Sequence, residues 1–357
     1  MKKICFVIQD LGSGGAQRVC QNLVQYLHQK YNITLLSLYP ITKKSVFFTE
    51  LSKLDMGIKV ESLNVEKKVQ AFKPLKNFLN ANEFDLVFSF GAELSIIVNR
   101  VKGKSKKKFK TISRCINTLS IEYKNTSMKR KLTILPILKL FYRSNENIIA
   151  QSEGMKDDLV KNFGVREDNV TVINNPVSPK FKFFTGDREK YLLFVGRLEK
   201  QKNVIDILKA INCPQLKDSK LYIVGNGSEE HNLAEYVKEN NLNVNFFDFT
   251  NDIQQFYEKA SGVVLSSLYE GFPNTLIEAI SCGTPVVSYD CPSGPCEIIN
   301  NANGFIAQYL DVSDLRQKII SLIEKKWDYR KVHETSKKYQ IENIMKEYCS
   351  YIEKILL

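Results

Sequence analysis

The 357-residue chain is predicted to be α/β, with two doubly wound Rossmann-like units in succession. Three observations predict this. Short apolar runs with little polar alternation recur, as strands buried on both faces require. Helical stretches separate these runs. The whole pattern then restarts at "YLLFVG" (Tyr191–Gly196), after a segment rich in Pro, Asn and charge. The length agrees, because it exceeds one ordinary core. With 43% hydrophobic and 25% charged residues the composition is globular and excludes a disordered chain.

The first unit opens with the strand "KICFVI" (Lys3–Ile8), whose apolar run is broken by Gln9 and Asp10, so it reads as a strand and not a signal peptide. A helix over Ala16–Lys30 follows, then strands at "ITLLSLY", "DLVFSF", "FKTIS", "NIIAQS" and "VTVIN". The boundary falls between Asn174 and Glu189. The second unit runs from "YLLFVG" through a helix near Val204–Ala210, "KLYIVG", a helix from about Glu229, "VNFFDF", the helical "DIQQFYEKA", "GVVLSS", a helix near Thr275 and "PVVSYD". Residues 336–356 read as one amphipathic helix. The expected domains are 1–176, 187–335, and a C-terminal helix at 336–357 packing back on the first. Two such sheets are expected to face a cleft with their carboxyl ends, where ligands favour this architecture.

No run is long enough to span a bilayer: "LTILPIL" (Leu132–Leu138) is closed by Lys131 and Lys139. The eight cysteines include no C-x-x-C pair, and no histidine lies near Cys291 and Cys296, so reduced structural thiols are expected and no metal site. The net charge of +12 is unevenly placed. Residues 100–143 hold 14 Lys and Arg against one acid, Glu122, while the rest of the chain is near neutral. Within that stretch "MKRKLTILPILKLFYR" (Met128–Arg143) mixes bases with large apolar residues, and Pro136 is expected to kink or start a helix there. Such a segment suits an anionic membrane surface, with a simply solvated charged face as the alternative. No recognition motif or aromatic platform points to nucleic acid.

Glycines Gly12, Gly14 and Gly15 lead from the first strand into the first helix, whose amides offer an anion site. The dinucleotide fingerprint fails at Gln17, and no Walker Lys follows. A ligand-free glycine turn is the alternative. In the second unit Arg197 and Lys202 stand five apart after a strand, two cations suited to a diphosphate. Gly225 sits in another strand-end turn, "IVGNGSEE". The stretch "SLYEGFPNTLIEAISCGTPVV" places Glu270 before a turn at Gly271, Phe272 and Pro273. Asn274 or Thr275 is expected to cap a helix ending at Cys282 or Gly283, and Glu278 lies about one turn inside it. The amides of Asn274, Thr275 and Leu276 are expected at the helix start. The two carboxylates then bracket an anion and accept sugar hydroxyls. A helix acid that merely complements the dipole is the alternative for either glutamate alone.

Taken in order, "GSGGAQRV", "SEGMKDDLVKNFGV…VTVINNPV", "FVGRLEKQKN", "IVGNGSEE" and "EGFPNTLIEAISCGTPVVSYDCPSGPCEII" resemble the family 4 glycosyltransferases of the GT-B fold over nearly the whole chain. The resemblance implies an activated sugar nucleotide as donor, no cofactor or bound metal, and retention of anomeric configuration; the lack of a D-x-D triplet agrees. It implies Arg197 and Lys202 on the diphosphate, Gly14 and Gly15 near the donor phosphate or sugar, Glu270 on sugar hydroxyls, the 274–276 amides on the diphosphate and Glu278 on the ribose. Many relatives carry a histidine near the position of "TISRCINTL"; here Arg114 or Asn117 is assigned to the acceptor side instead. At "FFDF" (Phe246–Phe249) relatives often have a glycine. "CPSGPCEII" is similar to bacterial enzymes that build surface polysaccharide on polyprenyl diphosphate. The implied function is transfer from a UDP-sugar to a lipid-linked glycan at the cytoplasmic membrane face. Epimerases and phosphorylases of the same fold, and a non-catalytic sugar-nucleotide binder, are the alternatives.

Overall fold

Two all-parallel sheets carry the chain in a computed structural model, which describes residues 1–12, 14–42, 57–124 and 128–357, with backbone only at 129–131. Ser13 of the first glycine loop and the side chains of Lys129, Arg130 and Lys131 in the basic stretch lie outside the described residues. Chain contacts divide the molecule into unit 1, Met1–Pro176 with Glu342–Leu357, and unit 2, Val177–Ile341.

Unit 1 holds β1 (Lys3–Ile8), α1 (Gly15–Leu27), β2 (Asn32–Ser37), β3 (Lys59–Ser62), α2 (Phe72–Ala81), β4 (Leu86–Phe90), α3 (Ala92–Lys102), β5 (Lys110–Arg114), α4 (Leu119–Lys124), α5 (Met128–Tyr142), β6 (Ile148–Ala150), α6 (Glu153–Phe163) and β7 (Val170–Val172). Its strand order is β3-β2-β1-β4-β5-β6-β7. The central strands are buried along almost their whole length, which is why they read as unbroken apolar runs. Strand β3 is absent from the sequence expectation for a physical reason. It is a half-buried edge strand, "KVES", in which Lys59 and Glu61 pair at 3.0 Å, and charge on an edge discourages further pairing.

Helix α5 continues through Pro136 from Met128 to Tyr142, so the proline neither starts nor ends it. Leu138 and Tyr142 are buried against the unit 1 core, while Leu132, Ile137, Lys139, Leu140 and Arg143 are exposed.

Unit 2 holds β8 (Tyr191–Val195), α7 (Val204–Ile211), β9 (Lys220–Val224), α8 (Glu230–Glu239), β10 (Val244–Phe247), α9 (Gln254–Lys259), β11 (Gly262–Leu265), α10 (Asn274–Ser281), β12 (Val286–Tyr289), α11 (Pro295–Ile298), β13 (Gly304–Ala307), α12 (Val312–Glu324) and α13 (Tyr329–Glu334). Its order is β10-β9-β8-β11-β12-β13. In both sheets the order reverses once, between β1 and β4 in unit 1 and between β8 and β11 in unit 2. The loops leaving those strands diverge there and open a crevice at the carboxyl edge.

The C-terminal segment differs from one continuous helix. A 3-10 turn at Lys337–Tyr339 stops at Gln340, which is extended and bridges Val177. Tyr339 is buried beside Phe272 of unit 2, and that anchor forces the break. Helix α14 (Ile341–Leu356) then belongs to unit 1, where Tyr348 is buried against Phe88.

Candidate active site

At the unit 2 switch point, the chain leaving β8 and the chain leaving β11 are tied together by hydrogen bonds. The Leu268 amide donates to the Gln201 carbonyl at 2.8 Å, the Gln201 side chain donates to the Tyr269 carbonyl at 2.9 Å, and the Ser266 hydroxyl donates to the Asn203 carbonyl at 2.8 Å. Asn203 adopts φ +48, which turns the chain from the 3-10 segment Lys200–Lys202 into α7. These ties bring Lys202 onto Glu270. Lys202 Nζ lies 2.5 Å from Glu270 Oε1, the Ser267 hydroxyl donates to the same oxygen at 2.6 Å, and the two side chains are only 15% and 9% exposed. An almost buried ion pair thus sits at the crevice. Arg197, two residues past β8, is exposed, and no carboxylate forms a salt bridge with it among the described residues.

Gly225 makes the neighbouring turn possible. Its φ is +140, and a Cβ there would lie 2.0 Å from the Gly196 carbonyl oxygen. With that close approach, the Leu198 amide donates to the Asn226 carbonyl at 2.9 Å. The Ser228 hydroxyl and amide donate to Glu199, holding its carboxyl below the usual range.

Helix α10 starts one residue earlier than expected, with Pro273 as its cap. Neither Asn274 nor Thr275 caps it. The Thr275 hydroxyl turns back to the Val195 carbonyl at 3.3 Å, and the Leu276 amide donates to the Pro273 carbonyl at 3.1 Å. Of the three amides assigned to the diphosphate, that of Leu276 is therefore taken up within the helix start. Phe272 is buried on Tyr339, and a Cβ on Gly294 would meet Pro273 at 2.6 Å, so the Gly271–Pro273 turn is held from both sides. Glu278 is 8% exposed and accepts from the Tyr257 hydroxyl at 3.0 Å. Burial drives the Tyr257 hydroxyl far above its ordinary pKa, so it stays a donor. Glu278 is thus oriented by a tyrosine that no motif pointed to.

In unit 1, Gly14 caps α1 with its backbone, and Gly15 begins the helix. The Gln17 side chain donates to Asp10 Oδ1 at 2.8 Å and the Gly12 amide to the same atom at 3.0 Å. A cavity of about 260 Å³ opens at the β1/β4 switch point. Asp10, Lys68, Phe90, Glu93, Glu122 and Tyr123 are among its lining residues. Glu93 accepts from the Tyr123 hydroxyl at 2.8 Å and pairs with Lys68 at 3.0 Å. Asn117 reaches this rim by donating to Glu122 at 3.2 Å. Arg114 does not. It is 1% exposed, donating to the Tyr348 hydroxyl at 2.8 Å and to Asn175 at 2.5 Å. Its guanidinium fastens α14 to the sheet, and that burial separates it from the acceptor side assigned to it from sequence.

Residues 13–181 match the family model "Glycosyltransferase Family 4", and residues 179–339 match "Glycosyl transferases group 1". The chain is a glycosyltransferase, with a family 4 domain followed by a group 1 domain. It is 27% identical over 338 residues to the N-acetylgalactosamine-N,N'-diacetylbacillosaminyl-diphospho-undecaprenol 4-alpha-N-acetylgalactosaminyltransferase of Campylobacter jejuni, covering 91% of each chain. Among solved structures, the lipopolysaccharide outer core galactosyltransferase WaaB superposes with a TM-score of 0.79 at 22% identity over 99% of both chains. HepE of Anabaena in complex with UDP-glucose superposes with a TM-score of 0.79 at 18% identity, over 99% of this glycosyltransferase and 100% of that chain. At those identities the likeness shows the GT-B fold.

Proposed function

We propose that this glycosyltransferase transfers a hexose or N-acetylhexosamine from a UDP-sugar to a polyprenyl-diphosphate-linked glycan, with retention, in the synthesis of bacterial surface polysaccharide or glycoconjugate. The observation that carries the reading is the convergence of Arg197, the Lys202–Glu270 pair and the α10 start at one switch point. A sugar–diphosphate bond breaks with charge building on the leaving diphosphate. Arg197 is free to swing onto it as a bidentate donor. Lys202 is already held in place by Glu270 and supplies a second charge without reorganisation. Glu270, while pairing Lys202 through one oxygen, offers its carboxylate to sugar hydroxyls, and Glu278 addresses the ribose. This division leaves no charge task that needs a metal ion or other cofactor. The lipid-linked substrate named for the Campylobacter relative and the UDP-glucose complex of HepE support the acceptor and donor classes.

The enzyme acts, on this reading, from the cytoplasmic membrane face. No helix among the described residues is long and apolar enough to cross a membrane. The exposed Leu132, Ile137 and Leu140 of α5, beside Lys139 and Arg143, provide an apolar and cationic surface for anionic lipid. The test is a panel of sugar nucleotides with polyprenyl-diphosphate acceptors, scored for nucleotide release and glycosylated lipid. UDP-sugar turnover that persists in excess EDTA and falls at least a hundredfold in Arg197→Ala is expected. Turnover indifferent to Arg197→Ala sinks the reading. Sedimentation with anionic liposomes is expected at low salt and weaker at high salt; binding unaffected by salt refutes the electrostatic docking.

A further inference from the structure

We infer that the unit 1 cavity is a selectivity pocket for an uncharged sugar ring of the acceptor and excludes acidic sugars such as uronic acids. The assignment of that ring to the acceptor rests on the glycosyltransferase reading; the pocket's preference for uncharged rings rests on unit 1 alone.

Position comes first. The cavity lies where β1 and β4 part, the one place in this sheet where strand order reverses. Crevices at such points are the usual ligand sites of open parallel sheets. Its size comes next. About 260 Å³ lies just under the range of drug-sized pockets, so it holds one small ring and not a nucleotide. Its lining is mixed. Phe90 and Ile116 give it an apolar side, while Asp10, Glu93, Glu122 and Tyr123 supply oxygen atoms. That combination suits a pyranose, which has apolar ring faces and hydroxyls around its edge.

Charge decides the subclass. Among the described residues three carboxylates face one ammonium, and that ammonium, Lys68, pairs with Glu93 at 3.0 Å. Carboxylates accept from sugar hydroxyls but repel another carboxylate or a phosphate. The 100–143 stretch has the opposite balance, with 14 bases and one acid. That one acid, Glu122, lines the pocket. The bases from Lys102 to Lys110, between the end of α3 and the start of β5, lie at the opposite, amino edge of this sheet, so they leave the charge of the pocket unchanged. The pocket therefore takes the acceptor's sugar and turns away its diphosphate.

The test is saturation-transfer NMR on the full chain without donor. The probes are methyl α-glucoside, methyl α-galactoside and methyl N-acetyl-α-galactosaminide at millimolar concentration, each beside its C6 uronate. At least one neutral glycoside is expected to bind at least tenfold better than its uronate. Glu122→Gln is expected to narrow that ratio at least threefold, and Asp10→Asn serves as a second variant if the first fails to fold. Equal binding of both members in every pair, no binding by any glycoside, or an unchanged ratio in folded variants overturns the inference. UDP titration of the same samples reads the donor proposal separately. UDP binding without discrimination defeats only the pocket inference, and discrimination without UDP binding defeats only the donor reading.

Discussion

Replacing Lys202 by Ala removes the cation 2.5 Å from Glu270 and leaves a carboxylate whose side chain is 9% exposed. Breaking one side of a buried pair costs about 3–5 kcal/mol, because the remaining charge is neither solvated nor paired. Here the lower end applies, since the Ser267 hydroxyl still donates to Glu270 at 2.6 Å. A loss of about 3 kcal/mol lowers the melting temperature by roughly 6–12 °C in a domain of this size. On the proposed function the same change also removes one stabiliser of the leaving diphosphate, worth about 10²–10³ in kcat. The two effects separate in the double variant Lys202→Met with Glu270→Gln. It has no stranded charge, so its stability should return to within about 1 kcal/mol of the parent, while kcat stays low. Thermal melts by circular dichroism and single-turnover kinetics on the parent, Lys202→Ala and the double variant read both terms. A Lys202→Ala protein that melts with the parent refutes the buried pair. A double variant with parental kcat refutes the catalytic charge.

Gly225→Ala should cost several kcal/mol, because its Cβ would sit 2.0 Å from the Gly196 carbonyl and neither backbone can yield cheaply; urea melts read it, and a parental midpoint refutes the close approach. Arg188 donates to the carbonyls of Tyr257, Glu258, Ala260 and Cys282 and to the Thr284 hydroxyl, stapling the carboxyl ends of α9 and α10. Arg188→Ala should therefore lose about 3 kcal/mol and Arg188→Lys recover less than half of it, since an ammonium cannot span those acceptors. Burial pushes the Cys115 thiol up to about 12 and raises Cys5, Cys20, Cys282 and Cys291 as well. In the native chain at pH 8, iodoacetamide should label the exposed Cys296 first and leave those five thiols unmodified, as read by peptide mass mapping. The sign for stability follows. A thiol raised in the fold stays protonated while its unfolded counterpart ionises, so stability is complete below about pH 8.5 and declines above it, by up to about 1.4 kcal/mol per pH unit per thiol. A melting temperature that does not fall between pH 8 and pH 10 contradicts this burial.

The alternation of buried strands and helices follows from local pattern alone, because strands covered on both faces must be continuously apolar and helices must be striped. Local pattern also put Arg197, Lys202 and Glu270 in the turns after strands and Glu278 in the helix that follows, since those positions depend on short segments, while the roles assigned to them came from the family resemblance. Other features were not legible. Lys202 and Glu270 are 68 positions apart, and only the β8–β11 adjacency, with Gln201 and Ser266 bonding across it, makes them an ion pair. Tyr257 reaches Glu278 because α9 packs beside α10. Asp10 served in the sequence only to end an apolar run, and it lines a cavity because β1 lies at the switch point. Arg114 looked like a strand-end cation available to substrate, yet Tyr348, 234 residues on, closes over it. In each case the deciding contact joins segments distant in sequence, and such contacts are set by sheet order and helix packing, which local periodicity does not encode.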